Sequence, residues 1–173
     1  MKPTLLMIVL LPLDIASLPS TFENVPEIKS HEIGQIPVPE GYQRMSLSSG
    51  SFGEWMRKLQ LKDDNRVFLY DGRLKANQSA QYAVIDISVG KKDLQQCADA
   101  VMRLRAEYLF AEKRYNEIKF YDNNNKVYAW QGSADKTGFA KYLEKVFGWC
   151  GTASLQKQLK PVNGLEQVKP GDV

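Results

Sequence analysis

Apolar residues recur at three- to four-residue spacing along several stretches of the chain and alternate along another. The longest periodic stretch carries Leu94, Cys97, Ala98, Val101, Leu104 and Tyr108 on one stripe. Asp93 stands before it, Gln96 follows three residues on, and neither Gly nor Pro interrupts the run. This pattern predicts a long amphipathic helix from about Asp93 to Lys113 with Cys97 in its first turn. Ser51 and Glu54 have capping-box spacing, and Phe52, Trp55, Met56 and Leu59 follow, so a short helix is expected over 52–60. Phe139, Tyr142, Leu143, Val146 and Phe147 predict a further helix from Lys136 to Phe147, and Thr152 is placed to cap a last one over 153–159.

Strand signals lie between the helices. Arg66 to Tyr70 is one candidate, followed by the turn pair Asp71-Gly72. Tyr82 to Val89 alternates, with Ala83, Ile85, Ile87 and Val89 on one face and Val84, Asp86 and Ser88 on the other. Ile118–Tyr121 and Lys126–Trp130 read as a hairpin joined by Asn123, Asn124 and Asn125, residues that tolerate left-handed turn conformations. Together these elements predict an α+β fold in which a long central helix packs on a small antiparallel sheet.

The N-terminus changes the picture. Lys2 precedes the apolar run from Thr4 to Leu11, which is the layout of a signal peptide and too short for a bilayer span of about 20 residues. Export to the periplasm or cell envelope is therefore expected, with membrane contact only through this segment. Prolines 19, 26, 37 and 39 then mark linker-like chain. The expected organisation is a signal-peptide-like segment over 1–20, a linker over 21–35 and a single domain over 36–173. The ending Pro170-Gly171-Asp172-Val173 reads as the entry to a strand, so the domain is expected to be cut short.

Composition adds mainly exclusions. Hydrophobic content of 43% and charged content of 25% in 173 residues are ordinary for a globular domain. The 23 basic and 20 acidic residues interleave, leaving no basic stripe for nucleic acid. One histidine and two separated cysteines match no zinc spacing, and the Asp-rich turns match no calcium loop, so neither metal nor cofactor is expected.

Two groups of residues are candidates for function. Cys97 at a helix start is a sensible nucleophile, because helix N-terminal N–H groups favour a thiolate, and Gln96 beside it could face a developing oxyanion. A general base is missing, since His31, the one histidine, lies in linker-like chain. Cys97 also fits a buried structural thiol or a disulfide with Cys150. Tyr128 and Trp130 share a strand face and could stack on a sugar or a partner, or pack on the core.

Several blocks carry a resemblance to a known family. Phe52-Gly53-Glu54-Trp55-Met56-Arg57, Asp86-Ile87-Ser88-Val89-Gly90, the stretch from Asp93 to Leu109, and Gly151-Thr152-Ala153-Ser154-Leu155 resemble the bacterial domain of unknown function 4846 over about 36–173. A more distant similarity is to papain-like cell-wall hydrolases of the NlpC and CHAP types, through Gln96-Cys97 and Pro170-Gly171-Asp172. That similarity implies amide hydrolysis in peptidoglycan or a peptide, with a histidine strand beyond Val173. No histidine follows Cys97 here, and Ala98-Asp99-Ala100 replaces the usual context, so the chain as given is expected to be inactive. The alternative is a non-catalytic envelope binding or structural module. The sequence leaves the oligomeric state open.

Overall fold

Ser51 starts the first helix as its spacing requires. Its Oγ accepts the Glu54 N–H at 3.2 Å, and Glu54 reaches back to the Gly50 N–H at 2.6 Å and on to Lys58 at 2.9 Å. The resulting α1 spans Phe52–Arg57. The structure, a computed structural model, describes residues 31–173; the signal-peptide-like segment and most of the expected linker lie outside the described residues.

The long helix, α2, spans Cys97–Ala111, four residues shorter at its start than its sequence pattern implies. Gln96 is the cap residue, and its N–H donates to Asp99 Oδ2 at 3.0 Å. The capping pair is thus Gln96 with Asp99, rather than Asp93 with Gln96. The buried face also differs from the expected stripe. Met102, Ala106 and Leu109 are sealed at i, i+4 and i+7, joined by Tyr108 and Asp99, whereas Cys97 is exposed and Val101 and Leu104 are half-buried. Neighbours on more than one side bury a face that a single-stripe reading misplaces. α2 ends in a Schellman turn: Arg114 N–H bonds Leu109 O at 2.8 Å and Lys113 N–H bonds Phe110 O at 3.1 Å. Lys113 holds the left-handed position (φ +59°) usually given to glycine.

The hairpin forms where expected, as β1 (Lys119–Tyr121) and β2 (Val127–Ala129), antiparallel with Phe120 opposite Tyr128. Asp122 organises its turn, accepting the Asn124 and Lys126 N–H groups at 2.8 and 3.0 Å, while Asn125 takes φ +62°. α3 spans Lys136–Trp149, capped by Asp135 through the Thr137 and Gly138 N–H groups, both at 3.0 Å. It buries Phe139, Leu143 and Val146 at i, i+4 and i+7. α4 spans Thr152–Gln158 and is capped at Gly151, whose N–H donates to Ser154 Oγ at 3.0 Å; Thr152 is its first residue rather than its cap. The Gln158 amide bonds both N–H and C=O of Tyr121 at 3.2 Å, covering the free edge of β1.

The two other strand candidates do not form strands. Residues 66–70 contribute one bridge, Phe68 to Leu74, and residues 82–89 contribute one, Ile85 to Leu61. The expected linker end is instead part of the fold: Leu61 N–H bonds His31 O at 2.8 Å, Ile33 N–H bonds Leu59 O at 3.0 Å, and Ile33–Gln35 forms a short 3-10 turn against α1.

The architecture is α+β. α2 is central, packed by α1, α3 and α4, and it shares one core with the buried hairpin residues Phe120 and Tyr128. Phe52 and Trp55 dock α1 onto Tyr108, with ring centroids 5.2 and 6.0 Å away, and the Tyr108 hydroxyl donates to Gly50 O at 2.8 Å. Tyr108 is buried and the two α1 rings are half-buried, so each contributes at most about 1.5–3 kcal/mol. At the other end of the chain Pro170 lies over α1, so close that a Cβ on Gly53 would stand 2.9 Å from the Pro170 Cβ. Among the described residues no helix is long and apolar enough to cross a membrane.

Candidate functional site

The two cysteines have opposite surroundings. Cys97 is the first residue of α2 and exposed, so it is not a buried structural thiol. Cys150 caps the far end of α3 and is buried. Burial first, and then the carboxylates of Asp122 and Asp99, push the Cys150 thiol up to about 11. Both are free thiols, with no disulfide between them.

Among the described residues, no histidine stands beside Cys97. The backbone N–H of Gln96 is taken up by Asp99 Oδ2, which leaves its side-chain amide as the group of Gln96 able to face an oxyanion. His31 faces Asp63 at 3.8 Å, and both side chains are exposed. Asp99 is buried: desolvation raises its carboxyl above the ordinary value, against the lowering effect of the Gln96 N–H, and Oδ1 has no hydrogen-bond partner.

Tyr128 and Trp130 also lie elsewhere than on an open aromatic face. Tyr128 is buried, its hydroxyl donates to Asp122 Oδ2 at 3.3 Å, and Lys126 and Lys145 stand over its ring at 5.5 and 5.8 Å. Burial pushes the Asp122 carboxyl up, but the Lys126 and Asn124 N–H groups and this hydroxyl outweigh it and hold the group below its ordinary value. Trp130 is half-buried against Phe139 and Tyr142, with centroids 5.5 and 5.6 Å away.

A concave feature of the structure is a groove of about 710 Å³ between α2, α3 and the segment 88–95. That volume falls within the range of small-molecule sites. Its walls include Phe110, Phe139, Leu143 and Phe147, together with Trp55 and Tyr115. Phe110 and Phe139 stack with centroids 4.3 Å apart. The segment 88–95 lines the groove as a strap tied to both helices. Arg103 of α2 holds it through Ser88 O and through Gln95 Oε1 at 2.6 Å, while also pairing Glu107 at 2.7 Å. From the strap, Lys92 pairs Glu144 of α3 at 2.6 Å. None of these lining residues stood out in the sequence as a binding group. Three separate segments build the groove, and its one legible trace is the Arg103–Glu107 spacing of an i, i+4 pair.

The arrangement is that of a small α+β domain with a strapped apolar groove. The sequence pattern of the domain of unknown function 4846 matches residues 33–132, over half of the chain, and the protein belongs to that family. No curated protein and no solved structure matches the chain.

Proposed function

We propose that this is an exported cell-envelope domain that works by binding, with its ligand in the groove between α2, α3 and the strap. The groove carries this reading: it combines an apolar, aromatic wall with a few fixed polar groups, the composition of ligand sites in general. Export rests on the Lys2 and Thr4–Leu11 pattern. The test is a titration with the neutral apolar dye Nile red. One saturable site is expected, lost in Ala140→Trp, which places an indole in the groove from an exposed position of α3. Binding that never saturates, or that survives Ala140→Trp unchanged, contradicts the reading.

A second reading is favoured by one observation, the exposure of Cys97 at the start of a 15-residue helix. It is descent from a papain-like cysteine amidase or peptidase of the NlpC or CHAP type acting on peptidoglycan or a peptide, inactive in this chain for want of a histidine near Cys97. The helix start supports a thiolate there. The test compares alkylation of Cys97 in the folded protein with alkylation of the same thiol after denaturation, at one pH. Faster reaction in the fold supports the reading; an equal or slower rate removes it.

A further inference from the structure

The groove has a charge pattern as well as an apolar wall. Lys92, Arg103, Lys113 and Lys136 line it, against Glu107 and Glu144. Two of the cations are consumed, Arg103 by Glu107 and Lys92 by Glu144. Among the described residues neither Lys113 nor Lys136 forms an ion pair, and both are exposed. The nearest acid in sequence to Lys136, Asp135, is engaged in capping α3.

These two lysines line the groove from the helix ends that the Phe110–Phe139 contact brings together. Phe110 and Phe139 are in stacking contact, and they lie three residues from Lys113 and Lys136 respectively. α2 therefore delivers Lys113 from its C-terminal end where α3 delivers Lys136 from its N-terminal end. Lys113 does so from the left-handed Schellman position, where a lysine costs about 1 kcal/mol that glycine would avoid. A residue kept in that conformation while lining a cavity has a reason to be looked for in the cavity.

We infer that the groove takes a single-chain amphiphile with a carboxylate head, the tail along Phe110, Phe139 and Leu143 and the head between Lys113 and Lys136. This rests on the binding reading above and adds the ligand class. An apolar body and an anionic tip match an aromatic wall that ends in two unpaired ammonium groups. The head is a carboxylate rather than a phosphate because the one guanidinium lining the groove, the fork suited to phosphate, is already held by Glu107, Gln95 and Ser88.

The experiment is displacement of Nile red from the full chain by decanoate, decanol, decyltrimethylammonium and decyl phosphate, the ionic competitors below their micelle concentrations and decanol below its solubility limit. Decanoate is expected to displace at the lowest concentration, and octanoate about tenfold more weakly for the loss of two methylenes. The double variant Lys113→Gln with Lys136→Gln is expected to lose about tenfold toward decanoate and nothing toward decanol. Both positions are exposed, so the fold is retained. Equal displacement by decanoate and decanol, or preference for the ammonium or the phosphate, overturns the head-group assignment while leaving the binding reading in place. Absence of saturable Nile red binding removes both.

Discussion

The rings of Phe110 and Phe139 stack 4.3 Å apart at an interplanar angle of 28°, joining the last turn of α2 to the first turns of α3. That contact joins the two helix walls of the groove and belongs to an aromatic cluster with Tyr115, Trp130 and Tyr142. Phe139→Ala removes a buried ring from it and is expected to cost about 3–5 kcal/mol in a urea unfolding titration. A cost below about 1 kcal/mol would mean that the helix pair is held elsewhere.

Lys113 offers a substitution expected to weaken binding without weakening the fold. Glycine relieves the left-handed strain but gives the unfolded chain more freedom, so Lys113→Gly is expected to leave stability unchanged or raise it by up to about 1 kcal/mol. Decanoate affinity should fall at the same time, by about threefold. A variant that loses stability contradicts the Schellman assignment; one that keeps full decanoate affinity contradicts the role of its ammonium group.

The strap depends on a few side-chain bonds. Arg103→Gln removes its ties to Ser88 and Glu107, and amide hydrogen exchange over residues 88–95 is expected to rise severalfold while the amides of Met102, Ala106 and Leu109 stay protected. Equal loosening of α2 and the strap would show that Arg103 supports the core instead.

Asp99 gives the fold a pH dependence of definite sign. Its folded-state carboxyl lies above the ordinary 3.8 because burial disfavours the charge. Between the ordinary and the raised value the native state binds more protons than the unfolded state, so stability falls as pH rises through that window and stays lower above it. Asp99→Asn keeps an acceptor for the Gln96 N–H and removes the charge. It should gain on wild type at pH 7, with the gain shrinking as pH falls below the raised value. A constant difference across pH would place the Asp99 charge in a better-solvated setting.

The cysteines make a chemical test of the packing. Iodoacetamide at pH 7.5 is expected to label Cys97 alone in the folded protein and both thiols after denaturation, with unchanged intact mass on adding reductant. Labelling of Cys150 in the native state would contradict its burial in the core.

The sequence announced its helices where local chemistry decides them. Ser51 with Glu54, and the regular runs of α2 and α3, carry their own start signals or periods, and the asparagine turn marks the hairpin. It was less informative where the outcome depends on a partner. The alternation of residues 82–89 gives two faces but no neighbour, and the chain offers it one bridge at Ile85 in place of a ladder. Leu94 fits the helical stripe and Gln95 falls within the expected helix, yet Gln95 is drawn into the strap by Arg103, and the helix begins at Cys97. Cys97 and Gln96 were legible as a pair at a helix start, but not that Asp99 would take the Gln96 N–H. The groove left no motif, because Phe110, Phe139 and Lys113 become neighbours only through the packing of α2 on α3.

Chemical-shift mapping with decanoate on the ¹⁵N-labelled full chain tests the groove as a ligand site most directly. The account predicts saturable shifts concentrated in 88–95, 103–115 and 136–147, largest near Lys113 and Lys136. Shifts centred instead on the C-terminal apolar surface around Leu159, Val162 and Val168, or scattered without saturation, would contradict it.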